Sequence, residues 1–342
     1  ARRAGGGVMV ERPDLHTLTG VTDQRGNLTE YRYDESGNLT AIVHQDGTSE
    51  QFTYDERGNL ATSMDRKGQT ITYTYNTDGL LTEKQYSVDS STETFTYDAH
   101  GNLLTATNAS GATTFLEYND PNDPDLLTRI TYPNGRYLTY TYYESGRRKS
   151  MEDQDGFVTT YAYDTAGRLI ELSDGSATED PLVTYEYDAL GRLKKETKRN
   201  NTTSEYAYDD AGQLLGLIHY APDHSVNSRF DYTYDAAGRR TSMTTQEGAW
   251  TYQYDAVGQL VSAVFASNDP ATIPNQDLTY EYDPAGNRIR TIKNTVTTNY
   301  TTNDLNQYTF VDGWTYTYDA AGNLVSKTDG ATTWTYTYDK NN

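Results

Sequence analysis

Few residues of this chain have the types and spacing that chemistry on another molecule requires. The five histidines, His16, His44, His100, His219 and His224, are scattered along it. Only His219 and His224 lie close, with Asp223 between them in "HYAPDHS". That segment reads as a loop-like insertion with no third ligand to complete a metal site, so its histidines are expected in solvent. "NDPNDPD" from Asn119 offers oxygens of the kind Ca²⁺ takes, but without EF-hand spacing. It reads as a proline-stiffened insertion between hairpins. Carboxylates are abundant, yet acid–base catalysis needs two that converge, and no pair stands out. There is no cysteine, which removes thiol nucleophiles, disulfides and cysteine metal sites. No glycine-rich phosphate loop opens a helix. The expectation is a protein that is not an enzyme, with no catalytic residue, metal or cofactor.

Charge narrows the partners. Lys and Arg number 28 against 49 Asp and Glu, a net charge of −21, which repels phosphate backbones and argues against nucleic acid. Two basic clusters, "GRRK" from Gly146 and "RLKKETKR" from Arg192, read as solvated strand positions or partners of nearby Glu. The longest apolar stretch, "LVSAVFA" from Leu260, is too short to cross a bilayer, so membrane insertion by this segment is not expected. Asn-x-Ser/Thr occurs at Asn27, Asn38, Asn108, Asn201 and Asn299, the first two within a recurring "GNLT". The opening "ARRAGGGVMVERPD" suggests an internal piece of a longer protein.

What does recur is Tyr-Asp-x-x-Gly. "YDESGNL" at Tyr33, "YDERGNL" at Tyr54 and "YNTDGLL" at Tyr75 follow one another at equal spacing. "YDAHGNL" at Tyr97, a broken unit at Tyr118, "YYESGRR" at Tyr142, "YDTAGRL" at Tyr163, "YDALGRL" at Tyr187 and "YDDAGQL" at Tyr208 continue the series. "YDAAGRR" at Tyr234, "YDAVGQL" at Tyr254, "YDPAGNR" at Tyr282, a degenerate "TNDLNQY" at Thr302, "YDAAGNL" at Tyr318 and a start at Tyr338 complete about fifteen units.

Each position has a physical reason. Asp opens a type I turn and Gly closes it in the left-handed conformation, leaving a bulged hairpin. The positions assigned this role include Tyr33, Asp34 and Gly37; Tyr54, Asp55 and Gly58; Tyr163, Asp164 and Gly167; and Tyr318, Asp319 and Gly322. Between units lies a second signal, "QDG" at Gln45 and Gln154, "PNG" at Pro133, "QEG" at Gln246 and "TDG" at Thr328. Two turns per unit mean two antiparallel strands. Alternation puts Trp250, Trp314 and Trp334 on one face with the tyrosines that follow them, an aromatic strip opposite a face of Thr, Glu and Gln.

Composition then sets the architecture. Hydrophobic residues are 35%, with 32 Tyr beside 7 Phe and 3 Trp, and mean hydropathy is −0.83. That is too little aliphatic mass for a large core, yet too aromatic for disorder. About thirty strands exceed what an open sheet carries without curling, and closing them once gives a ring about 45 Å across that these side chains could not fill. A strip winding around a cavity is predicted. Residues 1–17 read as a lead-in and 18–342 as the repeat array.

The Y-D-x-x-G-N/R-L unit, spanning Leu18 to Asp339, resembles the RHS/YD-repeat family of bacterial RHS toxin shells, the Tc toxin cocoon and the teneurin YD shell. The resemblance implies a ribbon of β-hairpins curled into a hollow shell, secreted or at the cell surface. In many bacterial members such a shell encloses a C-terminal toxin. The implied partners are other parts of the same large polypeptide, including that cargo. The alternative is an adhesion scaffold that binds a cell-surface sugar or protein. "DPAG" at Asp283 looks like the family's self-cleavage motif, but it occupies the ordinary turn slot after Tyr282.

Overall fold

The computed structural model describes residues 8–12, 17–175 and 180–339. Their regular structure is entirely β: 31 strands in one sheet, from Val8–Arg12 to Thr333–Thr335. Each strand pairs antiparallel with its neighbours in sequence, so the sheet is one unbroken meander of hairpins. The all-β hairpin ribbon expected from the sequence is what forms.

Alternation builds the strands. In Ser49–Tyr54, Phe52 and Tyr54 are half-buried while Gln51 and Thr53 are exposed. Thr70–Tyr75 repeats this, with Tyr73 and Tyr75 half-buried against exposed Thr72 and Thr74. Returning strands place aliphatic side chains beside the rings: Leu39 opposite Tyr33, and Ile42 opposite Tyr31. The sheet is a single layer. Tyr86, Ala263 and Phe265 are the buried hydrophobic residues among those described, so half-covered rings replace a core.

Most turns on both edges of the ribbon are of one kind. At 34–38, Gly37 N–H donates to the Asp34 carbonyl at 3.2 Å, Asp34 N–H donates to the Asn38 carbonyl at 3.0 Å, and Gly37 has φ 88°. The register slips between Arg32 and Tyr33, which is the bulge. Most second signals do not make the tighter two-residue turns that Asp-Gly and Asn-Gly suggest; Asp312-Gly313 does, between paired Val311 and Trp314, and residues 245–248 and 329–332 form four-residue loops. At "QDG", Gly47 N–H donates to the His44 carbonyl at 2.9 Å, in the same five-residue loop. Carboxylates of the loop hold it at that length, Asp46 Oδ1 accepting from Thr48 N–H at 3.0 Å. Asp65 Oδ1, for example, accepts from Lys67 N–H and Gln69 N–H at 2.9 and 2.8 Å, which needs a loop of that length.

Two expectations need correction, that of an insertion and that of histidines in solvent. "HYAPDHS" is no insertion: His219 belongs to the strand Leu214–Tyr220, half-buried, with Nδ1 2.8 Å from Ser204 Oγ and its ring edge-on to Phe230. Residues 221–225 are an ordinary turn in which His224 takes glycine's place at φ 62°. His44 is also half-buried, 3.1 Å from Glu50, whereas His16 lies outside the described residues. Within the stretch read as a lead-in, Val8–Arg12 pairs with Thr17–Thr22.

The ribbon comes full circle. The turn at 23–27, after the second strand, lies against the turns at 283–287 and 303–307, after the twenty-fifth and twenty-seventh. The turn at 65–69, after the sixth strand, meets the turn at 319–323, after the twenty-ninth. One circuit, or gyre, therefore takes about 24 strands, roughly 115 Å of ribbon at ~4.8 Å per strand. The chain overlaps itself rather than closing once over all its strands.

Candidate functional site

The repeat turn is held from both sides. Asp34 Oδ1 accepts from Asn38 N–H at 2.9 Å and Oδ2 from Asn38 Nδ2 at 3.0 Å. Asp55 does the same with Asn59. These bonds, the Asn side chain's first, hold both carboxyls below the ordinary range. The tyrosine ahead of each aspartate reaches back one hairpin. Tyr33 Oη donates to the Leu18 carbonyl at 2.9 Å, Tyr54 to Leu39 at 2.9 Å, Tyr187 to Leu169 at 2.7 Å and Tyr282 to Leu260 at 2.9 Å. Tyr318 donates to the Tyr308 carbonyl at 2.8 Å. Burial pushes the Tyr54 and Tyr318 phenols up. These units are thus stitched to the ones before by a hydroxyl, which the aromatic pattern alone did not reveal.

The residue after glycine also sets how the turn meets the unit ahead. Asn38 and Asn59 serve their own turn aspartates, while Asn102 and Asn287 also donate to Asp125 and Asn306 of the units ahead, at 2.9 and 2.7 Å. Arg does more: Arg192 Nε donates to Asp188 Oδ2 at 2.7 Å, NH1 donates to the Asp209 carbonyl at 2.7 Å, and the guanidinium lies 4.8 Å from the Tyr208 ring. Arg239 repeats this with Asp235, the Asp255 carbonyl and Tyr254. At Asp164 the backbone N–H of Arg168 contributes most to the lowered pKa, ahead of its guanidinium. The signal was present in the sequence as "GRL" against "GNL".

The assigned turn glycines all have left-handed angles, from Gly167 at φ 80° to Gly322 at φ 92°. Of the tryptophans, Trp250 and Trp314 share a half-buried face with Tyr252 and Tyr254, and with Tyr316 and Tyr318. Trp250 is parallel to Tyr252 (4° between planes, centroids 6.3 Å) and 5.1 Å from Phe265. Trp334, in the last strand, is 55% exposed, with Lys327 between it and Trp314.

Where one gyre overlies the other, the second turns of the first meet the Tyr-Asp turns of the next. Arg25 NH1 donates to Thr302 Oγ1 at 2.9 Å and to the Asn303 carbonyl at 3.0 Å, and its Nε lies 3.7 Å from Asp283 Oδ2. Asn306 Nδ2 returns a bond to Asp23 Oδ2 at 3.1 Å. Further along, Lys67 Nζ sits 2.9 Å from Asp319 Oδ2. Burial opposes ionisation of Asp319, but Lys67 and Asn323 outweigh it and the carboxyl is held below its usual range. Neither Arg25 nor Lys67 stood out in the sequence. Among the described residues, no group of His, Asp and Glu is arranged to hold a metal ion. The "NDPNDPD" aspartates are occupied locally: Asp120 and Asp123 accept from backbone N–H groups two residues on, and Asp125 meets His100 at 3.2 Å.

A ribbon of stitched hairpins, overlapping itself along a polar seam, is a distinctive construction. The teneurin YD-shell family model matches residues 62–132 and 134–245, more than half of the chain. The chain belongs to the teneurin YD-shell family. The RHS-repeat model matches residues 14–49, ahead of the YD-shell match, and 234–269, overlapping its end. No curated protein matches this YD-shell chain by sequence. Its fold is similar to that of solved toxin structures. A TcdB2-TccC3-Cdc42 crystal structure matches at TM-score 0.75 and 19% identity, over 94% of this chain and 20% of that one. A TcdB2-TccC3-TEV crystal structure gives 0.67 and 17%, over 95% and 22%. A Photorhabdus luminescens Tc holotoxin pore carrying a TccC3 mutation gives 0.66 and 18%, over 93% and 22%. The YD-shell chain thus spans about a fifth of those chains.

Proposed function

We propose that this chain is a length of wall: a non-enzymatic YD-repeat shell segment of a secreted or surface bacterial protein, enclosing a C-terminal toxin cargo made in the same polypeptide. The observation that carries the reading is the seam. A scaffold that only displayed a surface would gain nothing from having Arg25 and Lys67 grip turns a full gyre away. A container requires it, because an unsealed spiral leaks between gyres. The turn aspartates and tyrosines are spent on holding hairpins together, which suits a wall better than a catalyst.

The test is protease protection. In the full-length gene product, the segment that follows the repeats should resist a protease that digests it readily once the shell is unfolded. Lys67→Glu sets two carboxylates together at the seam and should expose that segment while strand content by circular dichroism stays unchanged. Equal susceptibility of the enclosed and the free segment would overturn the reading.

A further inference from the structure

One unit departs from the others in a way that leaves positive charge unspent. In "YYESGRRK" the turn aspartate is replaced by Tyr143. Elsewhere the arginine after the glycine is neutralised by that aspartate, as Arg168 is by Asp164 (Nε 2.7 Å, NH2 2.6 Å) and Arg192 by Asp188. Arg147 has no such partner. It lies flat on the next turn, where only a glycine leaves room: a Cβ on Gly167 would come within 2.0 Å of it. Its guanidinium stands 5.9 Å from the Tyr163 ring, and Lys149 Nζ stands 5.9 Å from the Tyr143 ring. Neither Arg147 nor Lys149 forms an ion pair with a described residue. The other basic cluster contrasts with this: Arg192, Lys195, Lys198 and Arg199 each meet a carboxylate.

The stitching is rewired at the same place. Tyr143 Oη donates to the Tyr161 carbonyl at 3.0 Å, and Tyr163, alone of the four assigned repeat tyrosines, makes no hydroxyl bond to a described residue. Tyr143 and Tyr163 meet edge to face at 6.2 Å. Around them opens a cavity of about 670 Å³, lined also by Ser145 and Glu144. Asp164 lines it too, but its charge is answered by Arg168. Two uncompensated cations against Glu144 leave the cavity net positive in a chain of net charge −21.

We propose that this cavity is a binding site for an acidic sugar residue of the uronic acid class. Arg147 and Lys149 would take the carboxylate, a planar fork and a point charge suited to that group. The Tyr143 and Tyr163 rings would cover the apolar face of the sugar ring, and the Tyr163 and Ser145 hydroxyls would meet its hydroxyl groups. An acidic turn of a neighbouring ribbon is a weaker fit, since the turns that meet across the seam bring no sugar-sized cavity lined by tyrosine. The site is independent of whether the shell encloses cargo.

Titration calorimetry of the whole 342-residue chain with glucuronate, with glucose and with a short Asp-rich peptide decides the matter. Glucuronate should bind and glucose should not. Arg147→Ala should weaken glucuronate binding about ten- to a hundredfold, the loss of one charge-assisted contact. Tyr143→Asp restores the common turn and gives Arg147 an internal partner, so binding should fall comparably while the melting temperature holds or rises. The proposal is overturned if glucose binds as well as glucuronate, if the peptide binds as well as the sugar, if glucuronate does not bind, or if Tyr143→Asp leaves its affinity unchanged.

Discussion

At the scale of single residues, the hydroxyl and the ring of a tyrosine do separable work. Tyr54→Phe keeps the ring but removes the donor to the Leu39 carbonyl. The expected cost is about 1 kcal/mol, read as a lower urea midpoint at unchanged slope. Rings matter where they are covered. Trp250→Ala, which strips a side chain stacked between Tyr252 and Phe265, should cost about 3 kcal/mol, whereas the largely exposed Trp334 should cost under about 1 kcal/mol. An unchanged melting temperature for Trp250→Ala together with lost sugar or protein binding would favour display over enclosure. The turn chemistry was readable at this scale because Asp, Gly and the alternating rings act within a few residues of themselves. His219 was misread for the converse reason: a Pro-Asp pair just beyond it signals a loop, while the strand's alternation continues through Tyr220.

At the scale of the hairpin, the position after glycine sets how firmly one unit holds the next. Arg192→Asn should preserve its own turn, since an Asn amide can serve Asp188 as Asn59 serves Asp55. It forfeits the bond to the Asp209 carbonyl and the contact with Tyr208. The expected loss is roughly 1–2 kcal/mol, with faster amide exchange confined to the hairpins that flank residues 188–213. Spread of that effect to distant hairpins would contradict a ribbon whose units contact mainly their neighbours. The strand order was legible, because two turn signals per unit leave only a meander. The turn geometry on the second edge was not, since "QDG" is compatible with two loop lengths and the choice rests on backbone N–H groups donating to carboxylates of the loop, Asp46 in one and Asp153 in the other.

At the scale of the molecule, the seam should respond to acid. Asp319, like Asp34 and Asp55 in their turns, binds protons more weakly in the folded chain than in the unfolded one. Its contribution is therefore complete above the unfolded value near 4 and drains away as pH falls through the lower folded value. Small-angle scattering should show the ribbon loosening only below about pH 4, and a spiral that opened between pH 5 and 7 would contradict this assignment. High salt should weaken the half-exposed pairs in the same sense. None of this was visible in the sequence. Arg25 and Thr302 are 277 positions apart, and what brings them together is accumulated curvature, which no local pattern encodes.

Because the ribbon meets itself after about 24 strands, its bore is set by curvature at about 37 Å between opposite backbones, and not by how long the chain is. Extra repeats would lay a further course on the rim and make the vessel taller. They would not make it wider. Capacity in such a design rises in simple proportion to chain length, and each added course reuses the contacts of the last. The limit on what can be carried is thus one of girth, fixed by the bend of each hairpin relative to the next, and a change in that bend would alter the fit of every course above it.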